Sequence, residues 1–147
     1  MSTAENSTAE QELRNVVAER VAAVRSMDPA PLAARLADDV VAFNVLPPLQ
    51  LSGRDEVIAQ TNAWFAGYPD GIGYEVHDVR ASANGDVGFV SFLYHVSGVM
   101  TDGTEVDMWV RASLGLRRMD AQWFIVHDHE SVPFDPATGQ ALLSLRP

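Results

Sequence analysis

Cysteine is absent from the 147 residues, and so is lysine: all ten basic residues are arginine. The first absence excludes disulfides, thiolate nucleophiles and cysteine-ligated zinc or iron–sulfur clusters. The second excludes Schiff-base catalysis and the lysine of a phosphate-binding loop. Any chemistry must therefore come from His, Asp, Glu, Tyr, Ser or Arg. Also missing is an uninterrupted apolar run close to the roughly 18–20 residues that a membrane-spanning helix needs. The opening "MSTAENSTAEQELR" carries neither the basic nor the apolar segment of a secretory leader, so a cytoplasmic address is the default expectation. Positive charge is scarce too. Ten arginines against 20 acidic residues leave a net charge of −10 and a pI near 4.6, which argues against nucleic acid and anionic membranes as partners.

What is there fits one soluble domain, with 47% apolar and 20% charged residues. Residues 1–9 read as a disordered lead-in. "TAEQ" at 8–11 resembles a capping box, and Leu13, Val16, Val17, Val21 and Val24 recur at helical spacing to about Ser26. A short helix follows from Asp28 and Pro29, with Leu32 and Leu36 on its apolar side. "VVAFNVL" (40–46) reads as a strand stopped by Pro47 and Pro48. Ser52 is expected to cap a third helix that buries Val57, Ile58, Thr61, Trp64 and Phe65. From Gly71 onward the period changes to two, giving four strands punctuated by "NGD" (84–86) and "TDG" (101–103), and then a turn-rich tail from 136 to 147. Helices followed by a run of antiparallel strands mean α+β, with three N-terminal helices packed on a strongly bent, mainly antiparallel sheet.

The central hairpin has two faces, neither of them plainly solvated. His95, Ser97, Asp107, Trp109, Arg111 and Ser113 share a mixed face; Phe92, Tyr94, Val96, Val106, Met108 and Val110 share an apolar one. A sheet buried on both sides needs a second partner. The expectation is a homodimer packed through the apolar sheet face, with the mixed face lining a cavity under the helices.

This element order, with "LADDVVAFNV", "SGRDEV" and the pattern W-x-I-V-H-x-H-x-S-x-P at 123–133, resembles the nuclear transport factor 2-like superfamily, in particular its SnoaL-like and ketosteroid-isomerase-like members. The last pattern also resembles the end of the association domain of calcium/calmodulin-dependent protein kinase type II. The resemblance covers about 10–135 and implies a cone-shaped α+β barrel with a deep pocket between sheet and helices, usually in a dimer. It brings no metal. It carries over the ketosteroid isomerase residues poorly. The position of that family's aspartate base, five residues beyond Asp39, is Asn44, which cannot accept a proton, and no tyrosine precedes Tyr68 to serve as the oxyanion donor. Asp107 stands in the strand that carries the second donor.

Candidate site residues come from the mixed face. His127 and His129 lie two apart on one strand and share a face, while Asp128 and Glu130 share the other. The two imidazoles could bind metal with Asp107 or His95 as a third ligand, yet no third ligand is set by spacing, and the expectation is no metal. As acid/base groups, His127, His129 and Asp107 could move a proton. Equally, the histidines could be core residues bonded to backbone. Arg111 is unlikely to be buried without a partner, either Asp107 on its own face or an anionic ligand group. Trp109, Trp64 and Phe43 would form aromatic walls, with Asn44 and His95 as further polar contacts. The resulting expectation is a SnoaL-like protein that binds a small apolar or carbonyl-containing ligand. As an enzyme it would be a cofactor-free isomerase, cyclase or dehydratase working by acid/base catalysis. The alternative is a non-catalytic carrier or dimerisation module.

Overall fold

A computed structural model describes residues 3–147. Its elements run α1 (Thr3–Arg25), α2 (Ala30–Ala34), β1 (Leu36–Phe43), β2 (Leu51–Ser52), α3 (Arg54–Ala66), β3 (Gly73–Asn84), β4 (Val87–Val99), β5 (Glu105–Met119) and β6 (Gln122–Ser131). The six strands form one sheet in the order β2-β1-β6-β5-β4-β3, antiparallel throughout except where β1 runs parallel to β6. This is the expected α+β cone, with the helices on its concave side. Among the described residues no helix is long and apolar enough to cross a membrane.

Several local expectations are corrected. Residues 3–9, expected as disordered, belong to α1; Met1 and Ser2 lie outside the described residues. Gln11 bonds Asn15 rather than closing a capping box, the Thr8 hydroxyl donates back to the Ala4 carbonyl, and Ala9 is already buried. The first strand starts at Leu36 rather than Val40 and stops at Phe43, because "LADD" extends against β6 instead of continuing a helix. Gly53, not Ser52, precedes α3. Ser52 instead pairs with Val41, and its N–H donates to Glu56 at 2.7 Å.

The helices lie on the apolar sheet face, not on the mixed one. Leu13, Val16, Val17 and Val24 of α1 are buried in one core with Val90, Phe92, Tyr94, Val110 and Leu114. Close approach is possible because β4 offers Gly88 beneath α1, where a Cβ would stand 2.8 Å from Leu13 and 3.1 Å from the Trp123 ring. The indole N–H of Trp123 donates to Glu12 of the same helix at 2.7 Å. Burying the apolar set under the helices is the larger hydrophobic gain, at about 25 cal/mol per Å². The face expected to line the cavity is therefore the outer one, and the apolar face expected to form a dimer is already covered.

β6 is the strand whose side chains decide the site. Trp123 and Ile125 point inward, and unbroken alternation would bring His127 and His129 after them. A bulge intervenes: Leu116 pairs with Ile125 but Gly115 with His127, leaving Val126 as an extra residue. One inserted residue reverses the faces of everything beyond it. Asp128 and Glu130 consequently turn inward and are buried, each only 7% exposed. Beyond β6, the tail folds back through an Asp135–Gly139 turn, and the Trp109 N–H of β5 donates to the Leu143 carbonyl at 2.9 Å.

Candidate active site

Between the helices and the concave sheet face lies a cavity of about 530 Å³. Its walls are mostly apolar: Val16 of α1, Leu32 of α2, Ile58 and Trp64 of α3, Val96 of β4 and Met108 of β5. Val57, Ile58, Thr61 and Trp64 are only partly buried, unlike Phe65, because α3 turns them toward this space instead of into a filled core. Such a volume, apolar with a few convergent polar groups, falls within the range of small-molecule sites.

The polar groups gather on one side of it. Arg20 stands on the apolar stripe of α1, one turn from Val16 and one from Val24, and so is carried under the sheet. Its Nη2 donates to Glu130 Oε2 at 3.0 Å, its Nη1 lies 3.5 Å from Asp128 Oδ2, and its Nε donates to the Tyr74 hydroxyl at 3.2 Å. The Tyr94 hydroxyl donates to Glu130 Oε1 at 2.6 Å, and the Tyr74 and Tyr94 rings stack with centroids 4.8 Å apart. Both Glu130 oxygens are thus engaged, whereas Asp128 Oδ1 finds no partner among the described residues. Burial, then the neighbouring Glu130 charge, pushes the Asp128 carboxyl well above the usual aspartate range, and Arg20 offsets only part of this. Burial likewise raises the phenols of Tyr74 and Tyr94, which favours the neutral form of both. Chemically, the cluster is a carboxyl group whose burial favours its protonated form beside a second carboxyl group held by a guanidinium and a phenol.

At the rim, the Asn44 amide donates to Gln60 Oε1 and its own Oδ1 accepts from the Val45 N–H at 2.8 Å, while Glu19 and Arg35 form an ion pair at 2.8 Å. Asn44 and Trp64 are therefore the two expected site residues that reach the cavity. His127, His129, Asp107, Arg111, Trp109, His95 and Phe43 are on the outer face or its edge. His95 Nε2 lies 2.6 Å from Asp107 Oδ1, and its ring stacks on Trp109 at 4.9 Å. That contact takes Asp107 away from Arg111, which is exposed. His127 Nδ1–H donates to the Val41 carbonyl at 2.9 Å, and Phe43 sits edge-on to His127 and His129 at 4.8 and 5.6 Å. Phe43 and His129 also line a separate, more open pocket where β1 and β6 end. Among the described residues no three His, Asp or Glu side chains are gathered as a metal ion requires.

The residues missed are Arg20, Tyr74, Tyr94, Asp128 and Glu130. One signal was available: an arginine interrupting the otherwise apolar stripe of α1 needs an internal partner, and "HDHE" holds two acids on one face.

The match to known families covers most of the chain. The family model of the SnoaL-like domain matches residues 13–135. A nuclear transport factor 2-like protein of unknown function from Pseudomonas putida KT2440 is 32% identical, with 100% of this chain and 99% of that one covered at a TM-score of 0.88. A nuclear transport factor 2-like superfamily protein from Salmonella enterica serovar Typhimurium LT2 shares the fold at 17% identity, with 92% and 99% covered and a TM-score of 0.77. So does a "putative dehydratase" of the same fold family from Streptomyces avermitilis, at 20% identity, 82% and 94% covered and a TM-score of 0.72. No curated protein matches the chain. With the helix-covered cone, its cavity and these likenesses together, the chain belongs to the SnoaL-like family of the nuclear transport factor 2-like superfamily.

Proposed function

We propose that the protein binds a small, mostly apolar carbonyl compound in the cavity and moves a proton on it without a cofactor. The observation that carries this reading is the pairing of Asp128 with Glu130 inside an apolar cavity. Two carboxyl groups in different environments divide the roles of acid and base. The Asp128 carboxyl donates a proton to the substrate oxygen, while Glu130 accepts the proton from the α-carbon. In a dehydration, the electron pair released at the α-carbon forms the new double bond as the β-hydroxyl leaves as water with the Asp128 proton. Proton exchange between the two adjacent carboxyl groups then restores the starting state. Isomerisation uses the same two transfers to reach the enol, after which Glu130 returns its proton to a different carbon and Asp128 takes back the proton on oxygen, without loss of water. The Streptomyces relative agrees with such a reaction in its description alone, since 20% identity speaks only for the fold.

The test is α-proton exchange in deuterated buffer, followed by NMR over a panel of small ketones and β-hydroxy ketones. Wild type should accelerate exchange of at least one member, and Asp128→Asn and Glu130→Gln should each lower the rate by about 10²-fold or more, the usual worth of a general acid or base. Wild-type exchange no faster than buffer across the panel sinks the enzyme reading. What would then remain is a non-catalytic ligand carrier, favoured by one observation: Arg20 and Tyr94 already occupy both oxygens of Glu130.

The homodimer expected through the apolar sheet face is proposed here on the outer face instead. Phe43, Val87 and Phe89 are exposed there, and the same face holds a half-buried Trp109 whose indole N–H has no partner among the described residues. A second copy of the chain is the occupant proposed.

A further inference from the structure

We infer that the cavity takes a second class of ligand, an apolar molecule bearing a protonated amine, which seats its ammonium group against Asp128. The inference rests on the cavity being a ligand site and goes beyond the carbonyl chemistry proposed for it.

The argument starts from a count of charge and hydrogen bonds at the acidic end of the cavity. Two carboxyl groups, Asp128 and Glu130, face one guanidinium, Arg20. Glu130 already accepts from Arg20 at 3.0 Å and from Tyr94 at 2.6 Å. Arg20 also spends its Nε on Tyr74 and reaches Asp128 only at 3.5 Å, the limit of a hydrogen bond. Asp128 is left with a free Oδ1 although the residue is 93% buried, being 7% exposed, and lines the cavity. A buried acceptor without a partner is costly, and a buried carboxylate without a counter-charge more so.

Among the described residues that line the cavity, the only other cation is Arg35 at the rim. Tyr94 of β4 gives its O–H to Glu130, and Tyr74 of β3 accepts from Arg20, which leaves it only a neutral O–H that brings no counter-charge. Around the cavity β5 contributes Val110 and Leu114, and β1 contributes Ala42. Glu19 and Arg35 at the rim neutralise each other. Without a cationic ligand, burial favours the protonated form of Asp128. A ligand ammonium replaces that proton and adds N–H donors for Oδ1, so the site then holds two positive and two negative charges. The proton leaves to the buffer. An anionic ligand does the reverse, adding a buried negative charge where the one guanidinium is already committed. The field of a chain with net charge −10 also draws cations rather than anions to the mouth.

This exchange has a pH signature. Because one proton leaves for each amine bound, amine affinity rises about tenfold per pH unit below the Asp128 pKa and levels off above it. Affinity for a neutral ketone, which accepts the Asp128 proton, is level below that pKa and falls above it. An amine also removes the proton donor of the proposed reaction and stops α-proton exchange.

Isothermal titration with naphthylmethylamine, naphthylmethanol, acetylnaphthalene and naphthoate, each in phosphate and in Tris buffer, tests the inference and counts the protons released. The expected order has the amine at least tenfold tighter than the alcohol, naphthoate weakest, and proton release with the amine alone. Asp128→Asn, which keeps the shape of the neutral carboxyl, should lose both the amine preference and the proton release while still binding the alcohol. Naphthoate binding as tightly as the amine, or an amine preference that survives Asp128→Asn, overturns the inference. If the alcohol and ketone bind and the amine binds no better, the ligand site stands and the amine inference falls. Binding of none of the four rejects both.

Discussion

A carboxyl group with a higher pKa in the folded chain than in the unfolded one holds its proton more tightly when folded. Its contribution to stability is complete below the ordinary aspartate value of 3.8 and is lost as pH climbs through the folded value. Asp128 is such a group, so Asp128→Asn, which cannot ionise, should melt higher than wild type at pH 8. The gap should close toward pH 4. Parallel melts followed by circular dichroism would show it, and a gap that widens on acidification contradicts the assignment. The partners of Glu130 behave differently. Tyr94→Phe removes a hydrogen bond to a charged group and should cost roughly 1.5–3 kcal/mol in denaturant unfolding. Arg20→Met strands a buried carboxylate, a loss of roughly 3–5 kcal/mol, and adding Glu130→Gln should recover part of it. Recovery of nothing would mean that Arg20 acts by packing alone. At this scale the sequence was only half legible. The sharing of one face by Asp128 and Glu130 could be read from strand period, and Arg20 stood out on its helix, but no single residue says which face the helices will cover.

The elements were more legible than the residues, for a physical reason. Helix and strand follow from repeating patterns such as Leu13, Val16, Val17 and Val24 in α1, where many positions agree and one irregularity matters little. Side-chain direction beyond an irregularity depends on that irregularity alone. The extra Val126 in β6 is β-branched and apolar like its neighbours, so composition does not betray the bulge that turns Asp128 and Glu130 inward. The same weakness affects β1, whose "LADD" start is recruited by parallel pairing with β6, a long-range event. Element packing does leave one local mark, Gly88. An alanine there brings its Cβ to 2.8 Å from Leu13, a fully buried side chain, and to 3.1 Å from Trp123. Gly88→Ala should therefore lift α1 from the sheet and cost roughly 1–3 kcal/mol, the usual range for overpacking. Chemical denaturation with tryptophan fluorescence reads this directly. An unchanged midpoint would show that α1 has slack over β4.

At the scale of the whole molecule, the helices satisfy one side of the sheet and leave the other open. The open side is unusual for a solvated surface: Val87 is 66% exposed and Phe89 51%, and all four histidines stand on it or at its edge among aromatic neighbours. Scattered apolar residues are ordinary on protein surfaces, but several large ones on the one sheet face that the helices leave uncovered, on β1, β4 and β5, fit an interface. A self-complementary pairing about a two-fold axis needs about 800 Å² from each copy, which a broad sheet face can supply. Light scattering should then give twice the 16.0 kDa chain mass. Phe89→Glu is the decisive variant. Phe89 points away from the core, so the monomer loses little, whereas in a dimer two introduced carboxylates must be desolvated without partners. The variant should run at 16.0 kDa with an unchanged circular dichroism spectrum and unchanged ligand binding, because the cavity opens on the opposite side of the sheet. A wild type that is monomeric at micromolar concentration, or a Phe89→Glu protein that remains dimeric, removes the outer face as the site of self-association.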